Sequence, residues 1–236
     1  YIVFDFDGTI ANTLDDIKEI VRTSVNDFCE DDFDLLRNEG IKEVIKRKKI
    51  PMYKIPKMIL NITSQLKDKT NIPLFADMTK VLHTLATSYK LGIVSSNSEE
   101  NIRQCLTKHQ LDHAFEFVYS QSSLFGKDRV LKKMCQKHKL NPAEIVYVGD
   151  EDRDIMACKK VNIKNMAVCW GYNAEKRLRV LQPDYIVTSP LEMIDVFCHK
   201  ESHLQFLSAR FQAVLALSTP FLYYSKGRPS DSLNTP

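Results

Sequence analysis

The sequence predicts a doubly wound parallel α/β sheet with a small helical domain inserted after its first strand. Three observations carry this prediction. Four short runs, Tyr1 to Phe4, Leu91 to Val94, Ile145 to Val148 and Met166 to Cys169, are apolar with little polar alternation, which suits strands buried on both faces of a parallel sheet. Helical patterns lie between them, and strands alternating with helices of that length build a doubly wound sheet. One long stretch, Leu14 to Leu74, breaks the rhythm with helical patterns and no strand.

Taken in order, the first strand is followed by the irregular stretch, where apolar residues recur at helical spacing over Asp15 to Phe28, Ile41 to Lys49 and Tyr53 to Lys67. Pro51, Pro56 and Pro73 punctuate it. A helical block at this point is expected to form a cap over the carboxyl edge of the sheet. Helices are expected next over Met78 to Ser88, Glu99 to His109, Arg129 to Lys139 and Arg153 to Val161, with further strands at Phe115 to Tyr119 and Tyr185 to Val187. The expected domains are therefore residues 1–13 with 75–198 as the core, 14–74 as the cap, and 199–236 as a tail. In that tail Phe206, Leu207, Phe211, Val214, Leu215 and Leu217 suggest one amphipathic helix, and Gly227 to Pro236 reads as disordered.

Composition excludes several classes. The 33 basic and 30 acidic residues give a net charge of +3, too balanced for a nucleic-acid footprint. The six cysteines form no CxxC pair and no histidine cluster accompanies them, so neither a zinc site nor a disulfide framework is expected. Reduced, mostly buried thiols in the cytoplasm are the plain reading. The run Leu204 to Leu222, broken by Arg210, Gln212 and Pro220, falls short of a membrane span. The chain opens at Tyr1, without methionine and already inside an apolar run, which leads us to expect that residues upstream were removed.

Ligands of an open α/β sheet sit beyond the carboxyl ends of its strands. The first strand ends Asp5-Phe6-Asp7-Gly8-Thr9. Residues two apart in extended chain face one way, so Asp5 and Asp7 converge, and such carboxylates repel unless a cation or shared proton relieves them. An ordinary strand-to-turn junction would also favour Asp and Gly. The run at Ile145 to Val148 ends Gly149-Asp150-Glu151-Asp152-Arg153-Asp154. Helix capping would use one or two of these acids, not a cluster aimed at the edge that carries Asp5 and Asp7. Together the clusters offer hard oxygen ligands, which suits Mg2+. Ser95, Ser96 and Asn97, just before a helix, make a natural phosphate cradle, although capping uses the same residue types. Lys127, after Gly126, would alone pass for a solvated lysine.

In order and interval these residues resemble the motifs of the haloacid dehalogenase superfamily of phosphohydrolases. Asp5-Phe6-Asp7-Gly8-Thr9-Ile10 stands at its first motif, Ser95 at the second, Lys127 at the third, and Gly149-Asp150 with Asp154 at the fourth. Trp170-Gly171-Tyr172 and Pro183-Asp184-Tyr185-Ile186 resemble the phosphoglycolate-phosphatase-like branch, with its helical C1 cap. The resemblance implies a phosphatase acting on a small phosphorylated metabolite, with Asp5 as nucleophile and Asp7 as general acid and base. It implies Mg2+ on Asp5, the Asp7 carbonyl and Asp150, with Glu151 and Asp154 behind them. Ser95 and Lys127 would hold the phosphoryl group. A sugar-phosphate mutase of the same fold and a non-catalytic phosphate-binding protein are the alternatives. Asp7 favours phosphoryl chemistry over carbon–halogen cleavage, because a halide leaves without a proton.

Other features carry less. The run Lys46 to Lys49 reads as a solvated helix end more than as a substrate-steering patch. Arg37 is a cap residue placed either to touch substrate or to make a surface ion pair. Trp170 and Tyr172 either wall the cleft or pack in the core, and His109, His113 and His138 read as structural.

Overall fold

The computed structural model describes residues 1–25, 27–67, 72–121 and 126–198. The tail helix and terminal disorder expected after His199, and the apolar run Leu204 to Leu222, lie outside the described residues. Strands β1 (Ile2–Phe4), β2 (Leu91–Ser95), β3 (Phe115–Ser120), β4 (Val146–Gly149), β5 (Lys164–Val168) and β6 (Tyr185–Val187) form one sheet in the order β3-β2-β1-β4-β5-β6. Every neighbouring pair is parallel. The order reverses direction between β1 and β4, and the crevice at such a switch point is where an open α/β sheet binds its ligand.

Side chains alternate across the sheet, which explains the unbroken apolar runs. Ile2, Phe4, Leu91, Ile93 and Val148 enter one core with Leu82, Leu85, Ile102 and Leu106 of helices α5 (Met78–Ala86) and α6 (Glu99–Lys108). Val3, Val94 and Tyr147 enter the opposite core with Leu131, Met134, Ala157 and Cys158 of α7 (Lys127–His138) and α8 (Asp152–Val161). The central strands β1, β2 and β4 therefore need apolar residues at consecutive positions, and each such side chain contributes about 1.5–3 kcal/mol on burial.

Between β1 and α5 lie α1 (Leu14–Ser24), α2 (Glu30–Glu39), α3 (Ile41–Arg47) and α4 (Ile55–Lys67). Helix α2 was not expected, because EDDFDLLRNE places three apolar residues among seven polar ones. It is organised instead around a buried acid. Asp32 is fully buried, accepts from the Cys29 backbone N–H at 2.9 Å, and pairs with Lys48 at 2.8 Å and Arg47 at 3.4 Å. Two residues of the basic run Lys46 to Lys49 thus neutralise an interior carboxylate.

Two further helices also escaped the sequence reading. One is α9 (Glu175–Val180), only six residues long, and the other spans 190–198. The Ala174 N–H donates to the Arg37 carbonyl at 2.9 Å, so Arg37 joins α2 to the start of α9 through its backbone. All six cysteines are free; Cys105, Cys135 and Cys158 are buried and Cys169 partly so, while Cys29 and Cys198 are exposed, against the expectation that most are buried. The His109 ring bonds the Ile72 carbonyl at 3.2 Å and the His138 ring stacks on Phe117. No helix among the described residues is long and apolar enough to cross a membrane.

Candidate active site

β1 and β4 end side by side, with Phe4 level with Val148 and the Asp5 N–H donating to the Val148 carbonyl at 2.8 Å. That single hydrogen bond sets Asp5 and Asp150 against each other. One carboxylate oxygen each from Asp5, Asp150 and Asp154 lies within 4.8 Å of the others, and these residues are 4%, 0% and 1% exposed.

Each acid is held by a different device. Asp5 accepts from the Phe6 N–H at 2.8 Å and from Lys127 Nζ at 2.6 Å. Asp150 accepts from Thr9 Oγ1 at 3.0 Å and from the Tyr172 N–H at 2.7 Å. Asp154 closes a capping box at the start of α8, accepting from the Glu151 N–H at 3.1 Å. The four-residue spacing of Asp150 and Asp154 leads one to expect them on one helix face, but α8 starts at Asp152 and Asp150 precedes it. They converge because one ends a strand and the other points back from the first helical turn.

Lys127 is the first residue of α7, where the sequence placed it just outside the helix. Its ammonium, 11% exposed, pairs with both Asp5 and Asp154. Burial opposes its charge, but Asp154 and Asp5 outweigh that and hold its pKa well above the ordinary value. Burial and the negative charges of Glu151, Asp154 and Asp5 push Asp150 well up, and burial pushes Asp154 up despite Lys127.

A hard divalent cation fits this set. Lys127 pairs with two of the three buried carboxylates and not with Asp150, and packed like charges call for a further positive charge. The backbone leaves room for little else, since a Cβ at Gly8 or at Gly171 would stand 2.3 or 2.2 Å from Asp150 Oδ2. Asp5 and Asp150 belong to the cluster, as the sequence suggested. Asp154, expected behind them, stands in it as an equal. The Asp7 carboxylate is not in it and turns to Asn97, whose Nδ2 donates to Asp7 Oδ1 at 3.2 Å. Burial and the nearby Asp5 raise the Asp7 pKa to about 7. Glu151 caps α8 and pairs with Arg153.

Ser95 and Ser96 line a cleft with Lys127. Ser95 Oγ also accepts from the Asn97 N–H at 3.0 Å, while Ser98, one residue on, caps α6. The cradle and the cap are therefore separate residues of one turn.

The sequence reading missed a brace around the first motif. Trp170 Nε1 donates to the Thr9 carbonyl at 3.0 Å, and the Tyr172 and Thr13 hydroxyls meet at 2.7 Å. Trp170 and Tyr172 thus fix the turn that carries Asp7. Arg153, hidden in an acidic run, was passed over; its position among Ser95, Ser96 and Lys127 is tertiary information.

The profile of the haloacid dehalogenase-like hydrolase family matches residues 2–168. A phosphoglycolate phosphatase of Synechococcus elongatus is 30% identical over 200 residues, covering 82% of this chain and 94% of its own. The pyrophosphatase PpaX of Bacillus mycoides is 23% identical over 205 residues, covering 83% of this chain and 95% of its own. Among solved structures, a haloacid dehalogenase-like hydrolase from Streptococcus pneumoniae superposes with a TM-score of 0.69 at 23% identity, over 83% of this chain and 97% of that one.

Proposed function

The chain belongs to the haloacid dehalogenase-like hydrolase family, and from that premise we propose that it is a Mg2+-dependent phosphatase using Asp5 as its nucleophile. The observation that carries this reading is the Lys127 ammonium bridging Asp5 and Asp154 inside a buried carboxylate triad. Such an arrangement aims a carboxylate while offsetting its repulsion from an anionic phosphate.

Asp5 attacks phosphorus, a P–O bond forms at its carboxylate, and the bond to the leaving oxygen breaks. Asp7 gives that oxygen a proton; Thr13 and Tyr172 brace its turn and Asn97 orients its carboxyl. Asp7 then takes a proton from the water that attacks the phosphoaspartate, releasing inorganic phosphate and restoring Asp5. Ser95, Ser96 and Lys127 hold the phosphoryl oxygens. Asp5, Asp150 and Asp154 would hold Mg2+, with the Asp7 carbonyl as a further candidate ligand; when bound, the ion supplies positive charge against the phosphoryl oxygens. Residues 14–74 act as a cap over this edge.

The substrate is a small phosphorylated metabolite. The names of the two relatives point to phosphoglycolate and pyrophosphate, and both compounds carry a second anionic group beside the phosphoryl group that is cleaved. The test is turnover of an aryl phosphate with Mg2+. We expect Asp5→Asn and excess chelator each to abolish it while the circular dichroism spectrum is unchanged. Substantial turnover by folded Asp5→Asn would refute the covalent mechanism, and full activity in chelator would refute the metal centre.

A further inference from the structure

We propose that Arg153 receives a second anionic group of the substrate, beside the phosphoryl group that Asp5 attacks. The proposal deepens the phosphatase reading and rests on it. Arg153 is the second residue of α8, and its side chain lines the same cleft as Ser95, Ser96, Gln121 and Lys127. Its guanidinium therefore shares a cleft with the residues proposed to hold the phosphoryl group.

Its surroundings leave it capacity to bind. The Arg153 guanidinium pairs with Glu151, two residues earlier, and its Nε is buried with no hydrogen-bond partner among the described residues. The side chain is 27% exposed, so solvent reaches only part of it. A plain surface ion pair would leave the remaining donors to water, and a buried donor without an acceptor is a position that a ligand oxygen can satisfy.

Ion pairing points the same way. Among the described residues, the cations beside Asp5, Asp7, Asp150, Glu151 and Asp154 are Lys127 and Arg153. Lys127 already pairs with two carboxylates, those of Asp5 and Asp154. Arg153 is the cation here with a single carboxylate partner, and that partner is also engaged in the N-cap of α8. A guanidinium presents a planar fork that matches a carboxylate or a phosphoryl group with two parallel hydrogen bonds. The substrate class is therefore a compact phosphate ester or anhydride whose leaving side bears a carboxylate or a second phosphoryl group.

The experiment measures binding without turnover. 3-Phosphonopropionate and ethylphosphonate share a P–C bond that the enzyme cannot hydrolyse and differ by one carboxylate. Isothermal titration calorimetry with Mg2+ compares them on the wild type, Arg153→Gln and Arg153→Lys. We expect the wild type to prefer phosphonopropionate by about tenfold to a hundredfold, the range for a charge-assisted hydrogen bond. Arg153→Gln should lose that preference with ethylphosphonate affinity within threefold of wild type, and Arg153→Lys should recover part of it.

Equal affinities in the wild type would overturn the proposal, as would a preference that survives in Arg153→Gln. Equal weakening of both ligands would also overturn it, assigning Arg153 to the attacked phosphoryl group instead. If Arg153→Gln does not fold, the wild-type preference and Arg153→Lys decide the matter. A wild type that shows the preference but turns over no aryl phosphate would refute the reaction proposed above and leave the role of Arg153 standing.

Discussion

Gly171→Ala should cripple the enzyme through one methyl group. A Cβ at Gly171 would lie 2.2 Å from Asp150 Oδ2, 2.3 Å from its Cβ and 2.5 Å from its Cγ, where ordinary contacts begin at 3.4 Å. Rotating the carboxylate cannot clear the clash, because the Asp150 Cβ is itself too close. Nor can Asp150 withdraw, since it is fully buried and held by Thr9 and the Tyr172 N–H. Either Asp150 or the backbone at residue 171 must move by about 1 Å, and a misplacement of ~1 Å can lower catalysis by ~100-fold. The measurement is kcat/KM on an aryl phosphate across a Mg2+ titration. It should fall about 100-fold, with half-saturation moving to higher Mg2+. Gly92→Ala is the control. Its Cβ would stand 2.3 Å from the Phe117 ring, within the core and away from the site. Both variants should lose about 1–3 kcal/mol of stability to overpacking, but Gly92→Ala should keep its activity below its melting temperature. A kcat/KM within threefold of wild type for Gly171→Ala, with unchanged Mg2+ half-saturation, would refute the reasoning.

Two further outcomes follow from named contacts. If Asp7 protonates the leaving oxygen, Asp7→Asn should slow the phosphoenzyme-forming step on an alkyl phosphate by ~10²–10⁴-fold and far less on an activated aryl ester. Single-turnover kinetics decides this, and equal loss on both esters would remove the acid–base assignment. Asp32 tests the helical insert by acid. Its hydrogen bonds with Lys48 and the Cys29 N–H lower its pKa from 3.8 to about 2. A depressed folded-state pKa contributes stability above the unfolded value that is lost as pH falls through the folded one. The wild type should therefore lose this stabilisation between about pH 4 and pH 2. Asp32→Asn, already without it at neutral pH, should show a flatter acid limb in denaturant unfolding; identical limbs would show that Asp32 contributes nothing.

The centre of the sheet was legible because its strands are buried on both faces, which writes an apolar run directly into the chain. The convergence of Asp5 and Asp150 was legible because both stand at strand ends of one sheet edge, whereas Lys127, at a helix start, was singled out only by the order of motifs in the family it resembles. Helix α2 was not, because its stability comes from Asp32 meeting Lys48 and Arg47 across a turn. Local composition makes Asp32 a surface acid and the basic run a solvated helix end, and only their meeting makes either interior. The roles of Gly171 and Arg153 escaped for a related reason. The space beside Asp150 and the cleft beside Ser95 and Lys127 come into being when distant segments close, and no spacing along the chain encodes them.

The placement of β1 also orders events in time. This three-residue strand takes the centre of the sheet, yet the strands that pair with it begin only at Leu91 and Val146. As the polypeptide leaves the ribosome, Asp5 therefore emerges well before either strand that pairs with β1. Bringing the partner strands to β1 requires closing long loops, whose entropy must be overcome before any contact compensates. The carboxylate cluster and its brace are complete only after Tyr172 has been synthesised. A nascent chain halted earlier would expose β1 as an unpaired apolar edge, so the carboxylate cluster and the cover of that edge are completed in the same late step.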